Sequence, residues 1–146
     1  MAKIKIPFHL CDPAQILFFG SFYEIYHQYL EEHITEFGIK WSDWFKGDSG
    51  GPIRGLKTSY NQPLHFGVNY QAELSVIKIG DSTVTFRFEV FDEKKKLATD
   101  TAKSSKKHSE ARVTSEITHC FVDKKTRDKV SVPKLIKQAL SKHLVS

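Results

Sequence analysis

Asp12 is the residue best placed to do chemistry. It stands where an apolar alternation, Ile4, Ile6 and Phe8, gives way to a second apolar segment, Ile16-Leu17-Phe18-Phe19, and Pro13 follows it directly. A carboxylate at such a junction is expected to be partly desolvated, which makes it a better base, and it would face the start of a helix. Free amides there would stabilise a developing oxyanion, so the arrangement suits a nucleophile or a general base. The plainer use is a turn aspartate before proline, a very common one, and spacing alone favours it.

Few other residues group in a way that does chemistry. The chain has no glycine-rich phosphate loop, no serine elbow, no clustered Cys and His of metal-site spacing and no zinc-protease histidine pair. Seven histidines (His9, His27, His33, His65, His108, His119, His143) are scattered, and each reads first as a surface or edge residue. Between Glu93 and Ser109 six lysines (Lys94, Lys95, Lys96, Lys103, Lys106, Lys107) stand against two acids. Such a run is ordinarily a solvated loop, and its sharper use is to hold phosphate with point charges.

These residues need a scaffold. The alternation at Ile4, Ile6 and Phe8 predicts a half-buried strand ending at Cys11, followed by a turn over Asp12-Pro13-Ala14-Gln15. Phe22, Ile25, Tyr26, Tyr29, Leu30, His33 and Phe37 recur at helical spacing opposite Glu24, Gln28, Glu31, Glu32 and Glu36. With Ser21 and Glu24 as a capping box and Gly38 as terminator, this helix spans about 16 residues, roughly 24 Å. Its aromatic stripe is first of all core. From Ile39 to Gly55 the chain reads as loop, with a short turn at Trp41 to Phe45. Strands are expected over Ile53 to Gln62, Val68 to Ile79, Thr83 to Phe91 and from Ala111 to about Val122, with Gly80-Asp81-Ser82 as a turn. A last helix begins near Pro133, with Leu135, Ile136, Ala139, Leu140 and Leu144 on one side. A short strand, a long helix, four strands and a terminal helix make an α+β domain in which the sheet covers the helix stripe.

Composition bounds the rest. At 146 residues, 40% hydrophobic and 27% charged, the chain suits a single globular domain, 1–146, and excludes disordered, collagen-like and disulfide-scaffold classes. Cys11 and Cys120 are far apart, no signal-peptide-like block opens the chain, and no stretch approaches the roughly 20 apolar residues of a membrane span. A reducing, cytoplasmic location without a membrane is the expectation. The net charge of +5 favours an anionic partner.

The stretch His9-Leu10-Cys11-Asp12-Pro13-Ala14-Gln15-Ile16-Leu17-Phe18-Phe19-Gly20-Ser21-Phe22-Tyr23, followed by the aromatic helix, resembles the hot-dog-fold acyl-CoA thioesterases of the 4-hydroxybenzoyl-CoA thioesterase family. The likeness continues through Tyr70-Gln71-Ala72-Glu73-Leu74 to Phe121-Val122-Asp123 and Val130-Ser131-Val132-Pro133. The resemblance implies a hot-dog fold, a long central helix wrapped by an antiparallel sheet, with subunits pairing into a dimer or dimer of dimers whose sites form at the interface. It implies that Asp12 attacks the thioester or activates water, and that the Phe19 amide, or one slightly later, polarises the carbonyl. Phe18, Phe22, Tyr23 and Tyr26 would line the acyl pocket, and Asn61 would reach the site from the partner.

The family's glycine after the alanine is Gln15 here, which puts a side chain where the backbone would approach the ligand closely, and the helix aspartate of hydroxybenzoyl members is His27, so that specificity is not inherited. An aromatic or short- to medium-chain acyl-CoA is the implied substrate. No metal or separate cofactor is implied, and coenzyme A enters as part of the substrate, its phosphates offered Lys94, Lys95, Lys96, Lys106 and Lys107. Acyl groups on acyl carrier protein are the enzymatic rival. A non-catalytic acyl-CoA-binding or nucleic-acid-binding module is the rival from another class, although aromatic and basic residues do not interleave as they do where bases stack.

Overall fold

Three aromatic rings of one helix converge on a single phenylalanine of the sheet. A computed structural model describes residues 1–44, 47–93 and 111–145. The elements in chain order are β1 (Ala2–Lys5), α1 (Phe22–His33), α2 (Trp41–Trp44), β2 (Ser49–Gly50), β3 (Ile53–Tyr60), β4 (Asn69–Ile79), β5 (Thr83–Asp92), β6 (Val113–Cys120), β7 (Val122–Asp123) and α3 (Lys134–Ser141). Five strands form one antiparallel sheet in the order β1-β4-β5-β6-β3, and β2 pairs with β7 beside it. The fold is the hot-dog architecture, with α1 laid across the sheet and α3 at the C-terminal end.

Phe88, on the central strand β5, receives the rings of Phe22, Tyr26 and Tyr29 at centroid distances of 5.7, 5.7 and 5.1 Å. These tilted and edge-on contacts are the geometries aromatic quadrupoles prefer, and each adds to the area buried. The Tyr29 hydroxyl donates to the Ala72 carbonyl at 3.1 Å and ties the helix to β4. Tyr23 and Thr58 hydroxyls lie 2.5 Å apart and tie it to β3. Truncating a fully buried phenylalanine costs about 3 to 5 kcal/mol, so Phe88 alone carries a large share of a domain's stability.

Several expected boundaries shift for local reasons. The first strand stops at Lys5, and Phe8–Leu10 form a 3₁₀ turn closed by the Cys11 N–H on the Phe8 carbonyl, so Ile6 is buried but Phe8 is exposed. The Ser21–Glu24 capping box does not form. A 3₁₀ turn over Phe19–Ser21 runs straight into α1, Ser21 already has near-helical dihedrals, and its side chain makes no cap. The helix ends earlier as well: after His33 a 3₁₀ turn, Ile34–Phe37, continues to Gly38, whose φ of +78° is the left-handed stop. Within α3, only Ile136 and Leu140 are fully buried, while Leu135 is exposed, and Leu144 lies exposed beyond the helix end. The loop around Gly50 also hides structure, since β2 pairs Ser49 with Asp123 and Gly50 with Val122. Next to it, a Cβ on Gly51 would lie 2.9 Å from the Phe121 ring, so only glycine lets the two approach.

Gly51 also anchors a buried polar network. His119 on β6 is 2% exposed, with Nδ1 2.7 Å from the Gly51 carbonyl and Nε2 2.7 Å from the Tyr26 hydroxyl. A carbonyl only accepts, so Nδ1 carries the proton and Nε2 takes the Tyr26 hydrogen bond, which fixes a neutral imidazole. Burial is the main reason its pKa falls from 6.5 to about 4; the Gly51 bond opposes that shift and His27 reinforces it. A histidine whose folded pKa is depressed stabilises the fold fully above its unfolded value and loses that contribution as pH falls toward the folded one. Denaturant melts should show stability declining from pH 6.5 toward 4, by about 2 kcal/mol between pH 7 and pH 5. His119→Gln should flatten this decline, and an unchanged slope in that variant would refute the assignment. Tyr26→Phe should cost about 1 to 3 kcal/mol at pH 7 by leaving Nε2 unsatisfied.

Candidate active site

Asp12 opens a tight β-turn, as its sequence context suggests. The Gln15 N–H donates to the Asp12 carbonyl at 2.9 Å, and the Asp12 N–H returns to the Ile16 carbonyl at 2.9 Å. Pro13 supplies the fixed φ such a turn wants at its second position. Gln15, where the resembled family has glycine, adopts φ +64°, the left-handed region glycine enters without cost. That preference is therefore a backbone requirement of the turn, and Gln15 meets it with strain.

The turn is held from both sides. Cys11 bridges Leu17, the Phe18 N–H donates to the Leu10 carbonyl at 3.1 Å, and the Leu17 N–H donates to the Leu64 carbonyl at 2.7 Å. The Phe66 N–H reaches the Gln15 carbonyl at 2.9 Å. Asp12 is half-buried, and its Oδ1 accepts the Ala14 N–H at 2.9 Å. Among the described residues nothing donates to its second oxygen, so one oxygen fixes the side chain while the other is open for chemistry.

The 3₁₀ turn moves the first free amides of the helix back from Phe22 to Phe19. The Ser21 and Phe22 N–H groups are taken by the Phe18 and Phe19 carbonyls. None of the described backbone hydrogen bonds uses the N–H of Phe19 or Gly20, the usual condition of a first helical turn. The Phe19 carbonyl also accepts the Tyr60 hydroxyl at 2.9 Å, which ties this turn to the end of β3.

Phe19 and Asn61 meet in a cavity of about 240 Å³ that also includes Leu17, Tyr60 and Val113. Asn61 is brought to Phe19 within one chain, with its side-chain amide donating to the Ala111 carbonyl at 3.0 Å. Arg112 braces this end: its guanidinium donates to Asp92 at 2.6 Å and to the Pro63 carbonyl at 2.8 Å. Asp12 borders neither this cavity nor the larger one described next.

The larger cavity, about 500 Å³, lies further along α1 and is lined by His27, Leu30, Trp41, Trp44, Ile53 and His119, with the Gly50-Gly51-Pro52 backbone. Apart from the two imidazoles it offers apolar walls, and both nitrogens of His119 are already used. Trp41, Trp44 and His119 were not singled out in the sequence for this site.

Of the remaining expected residues, Phe22 and Tyr26 are wholly buried in the core and line neither cavity, Tyr23 is half-buried against Thr58, and His27 is exposed at the larger cavity. Phe18 and Phe19 are 49% and 65% exposed, although they belong to the apolar segment that follows the turn. Gln15 is exposed at the turn, and Lys94, Lys95, Lys96, Lys106 and Lys107 lie outside the described residues. Among the described residues no three His, Cys, Asp or Glu side chains converge as a metal site, and no helix is long and apolar enough to cross a membrane.

Comparison with known proteins places this geometry. Residues 6–140 match the family model of the thioesterase-like superfamily. No curated protein matches the chain. Among solved structures, the chain is similar to a 1,4-dihydroxy-2-naphthoyl-CoA thioesterase from Synechocystis, at 15% identity and TM-score 0.74, over 96% of this chain and 93% of that one. It is similar to the DHNA-CoA thioesterase of Staphylococcus aureus at 14% identity and TM-score 0.77, over 97% and 87%. A thioesterase-superfamily protein from Jannaschia sp. CCS1 aligns at 13% identity and TM-score 0.76, over 99% and 92%. With the fold, the helix-start turn and a family match across nearly its whole length, the chain belongs to the thioesterase-like superfamily and is a hot-dog-fold thioester hydrolase.

Proposed function

We propose that this chain hydrolyses an aromatic or short- to medium-chain acyl-CoA to the free acid and coenzyme A. The observation that carries the reading is the Asp12 turn, which holds one carboxylate oxygen and, among the described residues, leaves the other open, joined through six residues to the Phe19 amide, which like that of Gly20 has no partner among them. Asp12 either attacks the thioester carbon, giving an anhydride that water then cleaves, or takes a proton from the attacking water. In both routes the carbonyl oxygen becomes an oxyanion that the Phe19 N–H stabilises, the carbon–sulfur bond breaks, and the thiolate takes up a proton. The large apolar cavity suits the acyl group, and the aryl-CoA names of two similar structures favour an aromatic one. His27 at that cavity presents an imidazole ring where hydroxybenzoyl members present a carboxylate.

The working unit is a dimer made through β3. This strand is a sheet edge, and its Leu56 and Tyr60 are 50% and 44% exposed, a feature that monomers cover or blunt. Antiparallel pairing about a twofold axis near Leu56 and Lys57 sets the Ile53 end of one copy against the Tyr60 end of the other, ends that lie about 24 Å apart within a single strand. The large cavity of one subunit then meets the partner's cavity containing Phe19 and Asn61.

Asp12→Asn should lower kcat on benzoyl-CoA by about 100-fold or more with KM within a few-fold, in a thiol-trapping assay. Activity within threefold of wild type would remove Asp12 from the reaction. Leu56→Asp combined with Lys57→Asp, which sets like charges directly opposite one another across the twofold, should give a monomer in sedimentation and lower kcat/KM at least tenfold. A stable dimer would refute the β3 interface.

A further inference from the structure

We infer that the exposed hairpin following β7 is a phosphate grip for the coenzyme end of the substrate, a conclusion that rests on the acyl-CoA reading above. Lys124, Lys125, Arg127 and Lys129 outnumber Asp123 and Asp128 there, and residues 124–129 are all exposed. Lys124 is committed to the Gly47 carbonyl at 2.8 Å. Among the described residues, no carboxylate pairs with Lys125, Arg127 or Lys129. Surface lysines ordinarily sit on flexible chain, but this hairpin is built. The Asp123 Oδ1 accepts the N–H groups of Lys125 and Thr126 at 2.8 and 2.9 Å, and the Arg127 N–H closes on the Asp123 carbonyl at 2.8 Å. Val122 bridges Lys129, and Arg127 holds φ +64°. Three cations without a carboxylate partner among the described residues are thus carried on one hydrogen-bonded loop.

Its place in the fold gives the hairpin a ligand. β7 pairs with β2, setting Ser49 opposite Asp123 and Gly50 opposite Val122, and Gly50 and Gly51 form the wall of the large apolar cavity. The base rests on the β4–β5 turn, where the Phe121 N–H donates to Ser82 and the Val132 N–H to Asp81. An apolar cavity whose Gly50 wall is paired to the strand leading into a cationic hairpin matches a molecule that is apolar at one end and carries phosphates at the other. Lysine and arginine bind phosphate through charge-assisted hydrogen bonds, and such contacts weaken with salt.

The test replaces these three cations with neutral residues the turn accepts, Lys125→Gln, Arg127→Asn and Lys129→Gln, Asn being tolerant of the left-handed region. Calorimetry with coenzyme A at low salt should show at least a tenfold weaker Kd and a shallower salt dependence than wild type. On benzoyl-CoA, kcat/KM should fall at least tenfold more than on S-benzoyl-N-acetylcysteamine, which has the thioester without phosphates. Turnover of that short substrate also reports that the variant is folded. Coenzyme A affinity within twofold of wild type, or equal losses on the two thioesters, overturns the grip. A wild-type protein that binds coenzyme A through these residues yet hydrolyses no acyl-CoA leaves the grip standing and overturns the proposed function instead.

Discussion

The packing of α1 onto Phe88 is the contact on which the rest of the structure depends. Phe22, Tyr26 and Tyr29 come from three successive turns of one helix and meet one ring in the middle of β5. Once they are seated, the helix has no freedom to rotate, because any rotation would expose all three. That single constraint places the Phe19 amide at the start of the helix and His27 at its middle. It also aims the Tyr26 hydroxyl at His119, so that the core closes with a satisfied polar group rather than a void. Stability and site geometry are therefore the same contact seen from two sides.

The Asp12 turn obeys a different logic. Asp12 sits on a turn of four residues held by backbone hydrogen bonds to Leu10 and Leu64 through its neighbours, and by none of the core aromatics. A carboxylate on such a turn keeps water access, while the adjacent 3₁₀ turn keeps two amides free. Phe18 and Phe19 stand exposed beside this turn, apolar surface of the kind that marks an interaction or ligand site.

Much of the fold was legible because it rests on local rules. The turn at Asp12 followed from Asp-Pro, the helix face from the spacing of Phe22, Ile25, Tyr26, Tyr29 and Leu30, and the sheet from the alternation at Val84, Phe86, Phe88 and Val90. The misses share a cause as well. The capping box at Ser21 was a valid local pattern defeated by a preceding 3₁₀ turn, and Phe8 matched an alternation that the chain abandons after Pro7. His119 was invisible as a buried residue because its partners, Gly51 and Tyr26, are 68 and 93 positions away. The large cavity was hidden for the same reason: Trp41 and Trp44, Ile53, and His119 belong to three separate segments, and only the folded sheet assembles them.

Whether the site is completed between two copies is the central claim, and subunit mixing tests it most directly. Asp12→Asn and a cavity-filling Ile53→Trp are each expected to be inactive alone. In a mixed dimer, one composite site would pair an intact Asp12 with an intact cavity. Equal amounts reassorted at random should recover about a quarter of wild-type activity on benzoyl-CoA, since half the dimers are mixed and each has one working site. No recovery, with mixed dimers verified by native mass spectrometry, would contradict the account and place the whole site within one chain.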